Sequence, residues 1–287
     1  MITPRASELD REEVLGSPAR RLGPSDAAIY DTFVAPTYMS MFVDLFVEML
    51  ASGRDARICH VGCRTGYPAS ELLERLPNAH IFGCDPSEPA VRLARARAAT
   101  VPGLVTDYRH VEDYPLPFPE GAFSHAFTIH PLAAPAERRR LLQELVRIVA
   151  PRGQALIALP MRGSFLEIAD LLRELALKSE STELTNAVEA AVQLRPTEET
   201  LSRELADVGF DFIAVQTRTR TLRYESAREL FDDPTFRVLL LPEFAINLGL
   251  ANLEAPFQYV REAIDKYWSG TTFELTVNVG CASGRRR

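Results

Sequence analysis

The sequence predicts an α/β fold in which helices cover both faces of a mainly parallel, seven-stranded sheet, giving a three-layer sandwich. Short apolar runs alternate with helical patterns from residue 57 onward, which is typical of parallel strands joined by crossover helices. Two longer runs near the C-terminus alternate apolar and polar side chains, which predicts strands at a sheet edge. The chain has 287 residues, 46% of them hydrophobic, so it can bury a sizeable core.

The expected elements follow one another in the order that such a sheet requires. Strands are predicted over residues 57–61, 80–84, 105–111, 122–129 and 154–159, and helices over 27–50, 68–76, 88–99 and 136–149. Further helices are predicted over 165–177, 183–192 and 197–208, with Pro196 opening the last one and Gly209 closing it. The two late strands, 210–223 and 271–281, are expected to pair antiparallel at the edge of the sheet.

The chain is expected to form one domain over residues 25–281, between a flexible leader (1–24) and a solvated basic tail (282–287). A helical insert at about 226–268 separates the two late strands, so we expect it to lie above the strand ends. Its aromatic and aliphatic side chains suit either a lid over a hydrophobic small molecule or a docking surface for a second subunit or another protein.

Composition argues against several classes of partner. The 39 acidic residues exceed the 32 basic ones, and a net charge of -7 argues against nucleic acid. The N-terminus lacks the apolar core of a secretory signal, and the most apolar stretches are interrupted by residues such as Asp44 and Glu243, so no membrane association is expected. Four cysteines are too few for a disulfide framework, which fits a cytoplasmic protein.

The junction between the first strand and the first helix carries the strongest chemical signal, because open α/β sheets bind ligands outside the carboxyl ends of their strands. Gly62 and Gly66 allow a tight turn there, and Pro68 suits a first helical position. Asp85 ends the next strand about 20 residues later, where a carboxylate can accept ribose hydroxyls. The alternative role for Asp85 is to cap the helix that follows.

Three segments together resemble the class I S-adenosylmethionine-dependent methyltransferases, in particular the broad small-molecule (type 11-like) group. They are the glycine loop at 58–68, the segment 112–123 with its Leu-Pro-Phe turn, and the helix and turn at 144–153. The resemblance extends over about residues 27–215. It implies a Rossmann-like fold, S-adenosylmethionine as cofactor and a small-molecule acceptor.

The resemblance also assigns residues to each part of the cofactor. The loop from Gly62 to Gly66 would enclose the methionine part, Asp85 would hold the ribose, and Glu112 with the following backbone would contact the adenine. Ile129 would lie near the donor sulfur. The full set of expected cofactor-binding residues is His60, Gly62, Cys63, Arg64, Gly66, Asp85, Pro86, Glu112, Asp113 and Ile129.

The chain departs from the family pattern within the same loop. His60 stands where the family usually has an acidic residue, Arg64 replaces the middle glycine, and Arg152 replaces a turn glycine. A buried, unpaired guanidinium is costly, so Arg64 is expected to reach solvent or a carboxylate, either that of the cofactor or Glu71. These departures motivate an alternative function, in which a degenerate methyltransferase fold serves as a non-catalytic binding or regulatory protein.

His130, just past the fourth strand, is the candidate catalytic residue, because imidazole titrates near neutral pH and can take a proton from an acceptor. The alternative is a histidine that is simply hydrogen-bonded within the fold. Three tyrosines either close over the cofactor or only pack: Tyr30, Tyr38 and Tyr67. No metal is expected, because the cysteines and histidines of the first two strands match no zinc spacing.

Overall fold

The computed structural model describes residues 21–131 and 134–287, so most of the expected leader lies outside the described residues. They form one seven-stranded sheet with the order β3-β2-β1-β4-β5-β7-β6. Strands β1 to β5 pair in parallel, and β7 lies antiparallel between β5 and β6, which confirms the expected fold class. The strands are β1 (Arg57–Val61), β2 (His80–Asp85), β3 (Val105–His110), β4 (Phe123–Ile129), β5 (Val149–Pro160), β6 (Phe210–Tyr224) and β7 (Phe273–Arg286).

Helices cover both faces of this sheet. They are α1 (Pro24–Ile29), α2 (Ser40–Met49), α3 (Ala69–Arg75), α4 (Glu88–Ala98), α5 (Pro135–Ile148), α6 (Leu166–Lys178), α7 (Thr182–Leu194), α8 (Glu198–Val208), α9 (Ala227–Asp232), α10 (Leu241–Leu248) and α11 (Glu254–Tyr267). Side chains alternate between the two faces along each strand, so Ile58 joins one core cluster while Cys59 and Val61 join the other. Continuous burial of β1 from Ile58 onward follows from this two-sided packing.

The N-terminal helical segment runs from Pro24 to Met49 without a break, and its centre, Tyr30–Met39, is a π-helix between α1 and α2. The predicted helix over 27–50 is therefore confirmed in extent, but the wider turns of its centre were not expected. The buried face of the segment carries Tyr30 and Tyr38, which places two tyrosines over the end of β4 and the glycine loop.

The helical insert is confirmed, and it packs on the same face of the sheet as the N-terminal segment. It consists of α9, a π-helical turn at Phe236–Leu240, α10 and α11. Phe236, Phe244 and Phe257 meet inside it at ring distances of 5.8 to 6.5 Å. In the described part of the chain, no helix has the length and apolar character that a membrane span needs.

The expectation of a solvated basic tail over residues 282–287 is wrong, because β7 continues to Arg286 and its last residues pair with β5 and β6. Arg286 donates hydrogen bonds to the carbonyls of Arg147 (3.1 Å) and Val149 (2.7 Å), and Arg287 pairs with Asp211 at 2.9 Å. Residues 282–286 therefore belong to the sheet, because their backbone groups find partners there that a free tail lacks.

Candidate functional site

The glycine loop turns back over the end of β2. The amides of Gly62 and Cys63 both donate to the carbonyl of Cys84, at 2.8 and 3.0 Å. Gly62, Arg64 and Gly66 all have positive φ, at 70°, 47° and 84°. A Cβ on Gly66 would lie 2.9 Å from the hydroxyl of Tyr108, so both conformation and space require glycine there.

Asp85 lies fully buried at the end of β2, directly against this loop. Its Oδ2 accepts the backbone N–H of Arg64 at 2.8 Å, and its Oδ1 accepts that of Ser87 at 2.9 Å. Burial raises the pKa of Asp85 to about 6, although the charge of Arg64 and the two backbone hydrogen bonds oppose the rise. The helix-capping role falls to Ser87, whose Oγ accepts the amide of Ala90 at 3.3 Å.

The Arg64 side chain points into the protein and is only 4% exposed. One guanidinium nitrogen, Nη2, donates to the carbonyl of His130 at 3.3 Å, and the group lies 5.2 Å from the ring centre of Tyr30. Its Nε and Nη1 have no hydrogen-bond partner among the described residues. The expectation that Arg64 reaches solvent or Glu71 is therefore wrong. Among the described residues Arg64 forms no ion pair, although Asp85 lies near enough for the two charges to interact.

Residues 21–23, which we call the strap, contact the residue before α4 and Glu112. Ser87 Oγ donates to the carbonyl of Leu22 at 2.6 Å, and the Leu22 side chain is buried. Arg21 forms an ion pair with Glu112, whose side chain is 53% exposed. The strap thus contacts the expected adenine position and Ser87, two residues after the expected ribose position.

The remaining predicted adenine contacts lie at the rim of the site. His110 Nε2 lies 2.8 Å from a carboxylate oxygen of Glu112 and 3.1 Å from the carbonyl of Pro86. Asp113 pairs with Arg140 at 3.1 Å on the surface. These groups are close to β2 and β3 but are accessible, unlike Asp85.

His130 follows β4 and has a φ of 56°, which turns its side chain inward. Its Nε2 lies 3.0 Å from the hydroxyl of Tyr38, and its ring meets Phe42 edge-on at 5.3 Å. Burial lowers the pKa of His130 to about 4, although Glu243 opposes the fall, and burial raises the pKa of Tyr38 well above its usual value. Both groups are neutral at pH 7, and the tautomer of His130 determines whether the Tyr38 hydroxyl or the imidazole N–H donates this hydrogen bond.

Two further charged residues complete this buried cluster. Arg195 Nη2 donates to Glu243 Oε1 at 2.8 Å, and Glu243 Oε2 lies 3.8 Å from His130 Nε2. The Arg195 guanidinium lies 4.8 Å from the ring centre of Phe165, and its Nε has no partner among the described residues. We did not predict either residue as functional; the only signal was that Glu243 interrupts an apolar stretch of the insert.

Comparison with known proteins finds a methyltransferase domain in the part of the chain that carries the site. A family model described as "Methyltransferase domain" matches residues 58–153, which contain the glycine loop, Asp85 and His130. This match supports a relationship of residues 58–153 to the class I S-adenosylmethionine-dependent methyltransferases. The matched residues form β1 to β4 and the start of β5, so the family pattern covers the part of the sheet that carries the site.

The names of the curated relatives that match this chain refer to different acceptors. A demethylmenaquinone methyltransferase from Thermus thermophilus is 31% identical over 122 residues, covering 42% of this chain and 55% of that protein. A tRNA (carboxymethyluridine(34)-5-O)-methyltransferase from Arabidopsis thaliana is 32% identical over 135 residues, covering 45% of this chain and 31% of that protein. The matches thus span only about half or less of these relatives.

The likeness in fold extends over more of the chain than the likeness in sequence. The crystal structure of a putative methyltransferase (BH2331) from Bacillus halodurans matches with a TM-score of 0.55, covering 86% of this chain and 98% of that one. Its sequence identity of 13% supports a shared fold alone.

The hydrogen-bonding groups of these residues match the polar groups of S-adenosylmethionine in their chemistry. Two nitrogens of Arg64 and the buried hydroxyl of Thr65 have no hydrogen-bond partner among the described residues, and the Arg64 nitrogens suit the cofactor's carboxylate. Each carboxylate oxygen of Asp85 accepts one backbone N–H, which leaves capacity for a hydroxyl. Asp85 and Arg64 are buried in this conformation, and the N-terminal helical segment packs against Arg64 through Tyr30.

His60 does not replace the acidic residue that the family usually has at its position. Its ring is buried and stacks on Phe127 at 4.2 Å, and its Nε2 has no partner among the described residues. Burial and the charge of Arg64 lower the pKa of His60 to about 3, so it is neutral at pH 7. The loop is held instead by the Asp85 carboxylate and the Cys84 carbonyl.

Neither the open cleft nor the buried thiols add a reactive group to this site. A cleft of about 510 Å³ is lined by residues of α2 and α3 with Arg218, none of which belongs to the cofactor set. Cys59, Cys63 and Cys84 are free and buried. Within residues 21–131 and 134–287, no group of histidine, cysteine and acidic side chains is arranged to hold a metal ion.

Proposed function

We propose that the protein transfers a methyl group from S-adenosylmethionine to a small-molecule acceptor. The observation that carries this proposal is the buried guanidinium of Arg64, which has two nitrogens without a partner in the described part of the chain and whose charge acts on the fully buried Asp85. An anion of the size of a carboxylate would pair with these nitrogens and offset the cost of burying the cation. The methionine part of the cofactor carries such a carboxylate next to the ribose that Asp85 would hold.

The loop and the strand ends would bind different parts of the cofactor. The backbone from Gly62 to Gly66, with Cys63 in its turn, would enclose the methionine part, and Arg64 would hold its carboxylate. Pro86, Glu112 and Asp113 would contact the adenine. When bound, S-adenosylmethionine supplies an electrophilic methyl group on a positively charged sulfur. Ile129 would border this methyl group, and positioning supplies most of the acceleration in such a displacement.

His130 is proposed as the group that takes a proton from the acceptor. Its imidazole is neutral at pH 7 and lies among buried groups at the end of β4, where water does not compete for the proton. For the adenine to reach Glu112 the strap would have to move, because Arg21 pairs with Glu112 and Leu22 is bound to Ser87. The Arg21–Glu112 pair is exposed, so breaking it costs little free energy.

The acceptor is proposed to be small because the insert encloses the end of β4. Glu243 of α10 reaches to within 3.8 Å of His130, which leaves a large polymer no direct approach. The net charge of -7 also disfavours a nucleic acid, although relatives of this chain methylate tRNA. A cytoplasmic location remains a prediction from the sequence.

A second candidate function is a non-catalytic binding or regulatory protein. It is favoured by Asp85, whose two oxygens already accept backbone N–H groups, and by the Arg64 side chain, which extends into the site. In that case the chain's own residues would replace the cofactor as partners of these groups.

Calorimetric titration with two ligands separates these candidates. S-adenosylhomocysteine has the amino-acid carboxylate, whereas 5′-methylthioadenosine keeps the adenosine and lacks that carboxylate. We expect Arg64→Ala to weaken S-adenosylhomocysteine binding by about 10- to 100-fold, the equivalent of about 1.5 to 3 kcal/mol for a charged hydrogen bond, and to leave 5′-methylthioadenosine binding unchanged. Asp85→Ala should weaken both ligands.

Arg228→Ala is the matched control, because this arginine of α9 is exposed and far from the loop in sequence. Circular dichroism would show that each variant is folded. If the wild-type protein binds neither ligand up to millimolar concentration, the proposed methyl-transfer function is rejected. Tighter binding by Arg64→Ala would show that Arg64 blocks the site, which would favour the second candidate.

A further inference from the structure

A pocket of about 190 Å³ lies between the end of β6, the end of α11 and the start of β7. Tyr224 and Glu225 line it from the first of these elements, Asp265 and Trp268 from the second, and Phe273 from the third. None of its lining residues belongs to the proposed cofactor set. Its volume is that of about six water molecules in the liquid, so it can hold a ligand of a few heavy atoms.

Two carboxylates at this pocket form no ion pair within residues 21–131 and 134–287. The Glu225 side chain accepts a hydrogen bond from the Thr272 hydroxyl at 3.3 Å, and that of Asp265 accepts the backbone N–H of Ala227 at 3.0 Å. Each of these bonds uses one carboxylate oxygen. The second oxygen of each group and both negative charges are therefore available to a ligand.

The backbone around the pocket adds to its negative character. Two N–H groups at the start of α9 that would attract an anion are already paired, that of Ala227 with Asp265 and that of Glu229 with Ser226 Oγ at 3.2 Å. The C-terminal end of α11 lies at the same pocket, because Trp268 caps that helix. The last carbonyls of a helix carry partial negative charge, which favours a cation.

Trp268 brings an aromatic ring to these carboxylates. Its indole packs edge-on against Phe273, with the ring centres 5.0 Å apart and an angle of 84° between the rings, and the residue is partly exposed. Tryptophan has the most favourable aromatic face for a cation. A metal ion is not the cation that fits, because the described residues contain no group of three or more histidine, cysteine or acidic side chains that could hold one.

We propose that this pocket binds a small organic cation of the quaternary ammonium class. The indole of Trp268 would contact the methyl groups of the ligand, and Glu225 and Asp265 would attract its charge. A primary ammonium group is strongly hydrated and loses that water on binding, whereas a methylated one suits an aromatic ring. The binding of this cation does not depend on the proposed methyl transfer.

The fluorescence of Trp268, the single tryptophan of the chain, reports on this pocket directly. The test titrates the full-length protein with choline at constant ionic strength, with sodium chloride as the compensating salt. The matched ligand is 3,3-dimethylbutan-1-ol, which has the shape of choline with a carbon in place of the charged nitrogen. We expect a saturable change with choline and binding of the neutral analogue that is weaker by about tenfold or more.

Phosphocholine separates a free cation from a lipid headgroup, because it carries the same ammonium group beside a phosphate. It should bind more weakly than choline, since its phosphate would be repelled by Glu225 and Asp265.

Glu225→Gln and Asp265→Asn each remove one negative charge and keep an oxygen acceptor for the hydrogen bond that the side chain already makes. Each should weaken choline binding by about fivefold, the effect of one unit charge at contact distance in water. Trp268→Leu, measured by calorimetry, should also weaken it. Glu262→Gln is the matched control and should bind as the wild type does, because Glu262 is an exposed carboxylate of α11 outside the pocket lining.

A choline titration that shows no saturable change up to tens of millimolar would overturn the proposal. Equal affinity for choline and its neutral analogue would also overturn it, because the pocket would then recognise shape without charge. An unchanged affinity in both charge variants would place the cation elsewhere on the protein. Phosphocholine that binds as tightly as choline would overturn the assignment to a free cation. The ligand comparisons use the wild-type protein, so they decide the matter even if a variant does not fold.

Discussion

The ionisation of Asp85 is expected to oppose folding at neutral pH. Its pKa is about 6 in the folded protein against an ordinary value of 3.8, and burial is the main cause. This difference corresponds to about 3 kcal/mol. Because the folded-state pKa is raised, the stability contribution of Asp85 is fully present below pH 3.8 and is lost as the pH rises through about 6.

Asp85→Asn removes this titration. The substitution also leaves one of two backbone N–H donors without a good acceptor, which costs about 1 to 3 kcal/mol at every pH. The pH-dependent part is separable from this constant cost. We compare the unfolding free energy of the variant with that of the wild type at each pH. The difference, variant minus wild type, should rise by about 2 to 3 kcal/mol between about pH 4 and pH 7.5.

Urea denaturation at several pH values measures this difference, with the fluorescence of the single tryptophan, Trp268, as the signal. All other groups titrate in both proteins, so their contributions cancel in the comparison. Asp207→Asn, an exposed aspartate of α8, controls for the loss of one negative charge. A difference between variant and wild type that does not change with pH would refute the burial argument for Asp85.

Three further predictions concern the loop, the strap and the core. Gly66→Ala should lower the unfolding free energy by about 1 to 3 kcal/mol because of its φ of 84° and the hydroxyl of Tyr108 at 2.9 Å; adding Tyr108→Phe should recover part of the loss in the same urea assay. Arg21→Ala should speed S-adenosylhomocysteine association in stopped-flow measurements, since it frees Glu112; an unchanged rate would show that the strap does not gate the site. Arg138→Ala should lower the thermal midpoint strongly, with a cost of about 3 to 5 kcal/mol, because its bidentate carboxylate partner on α8 is left unpaired.

The loop and its neighbouring strand were predictable because their signals are local. Gly62 and Gly66 mark a turn that needs positive φ, and Asp85 follows a strand that must end at the same edge of a parallel sheet. Backbone conformation and strand order are sufficient to bring these residues together. Their proximity follows from the fold class, which the alternation of strands and helices indicates.

The path of the Arg64 side chain was not predictable from its position in the loop. Sequence reasoning offered solvent, Glu71 or a cofactor as its partner, but the ring of Tyr30 and the carbonyl of His130 lie nearest. Tyr30 reaches Arg64 because the N-terminal segment packs over the loop from far away in sequence. The same packing brings the strap onto Ser87.

The sequence by itself determined the fold class, the glycine loop, the acidic strand end and the position of His130, because periodicity and turn chemistry act over a few residues. Only the tertiary structure decided that Glu243 and Arg195 lie beside His130, and that the tail completes β7. These contacts join residues from about 50 to more than 100 positions apart, and the packing of helices and strands determines which of them meet.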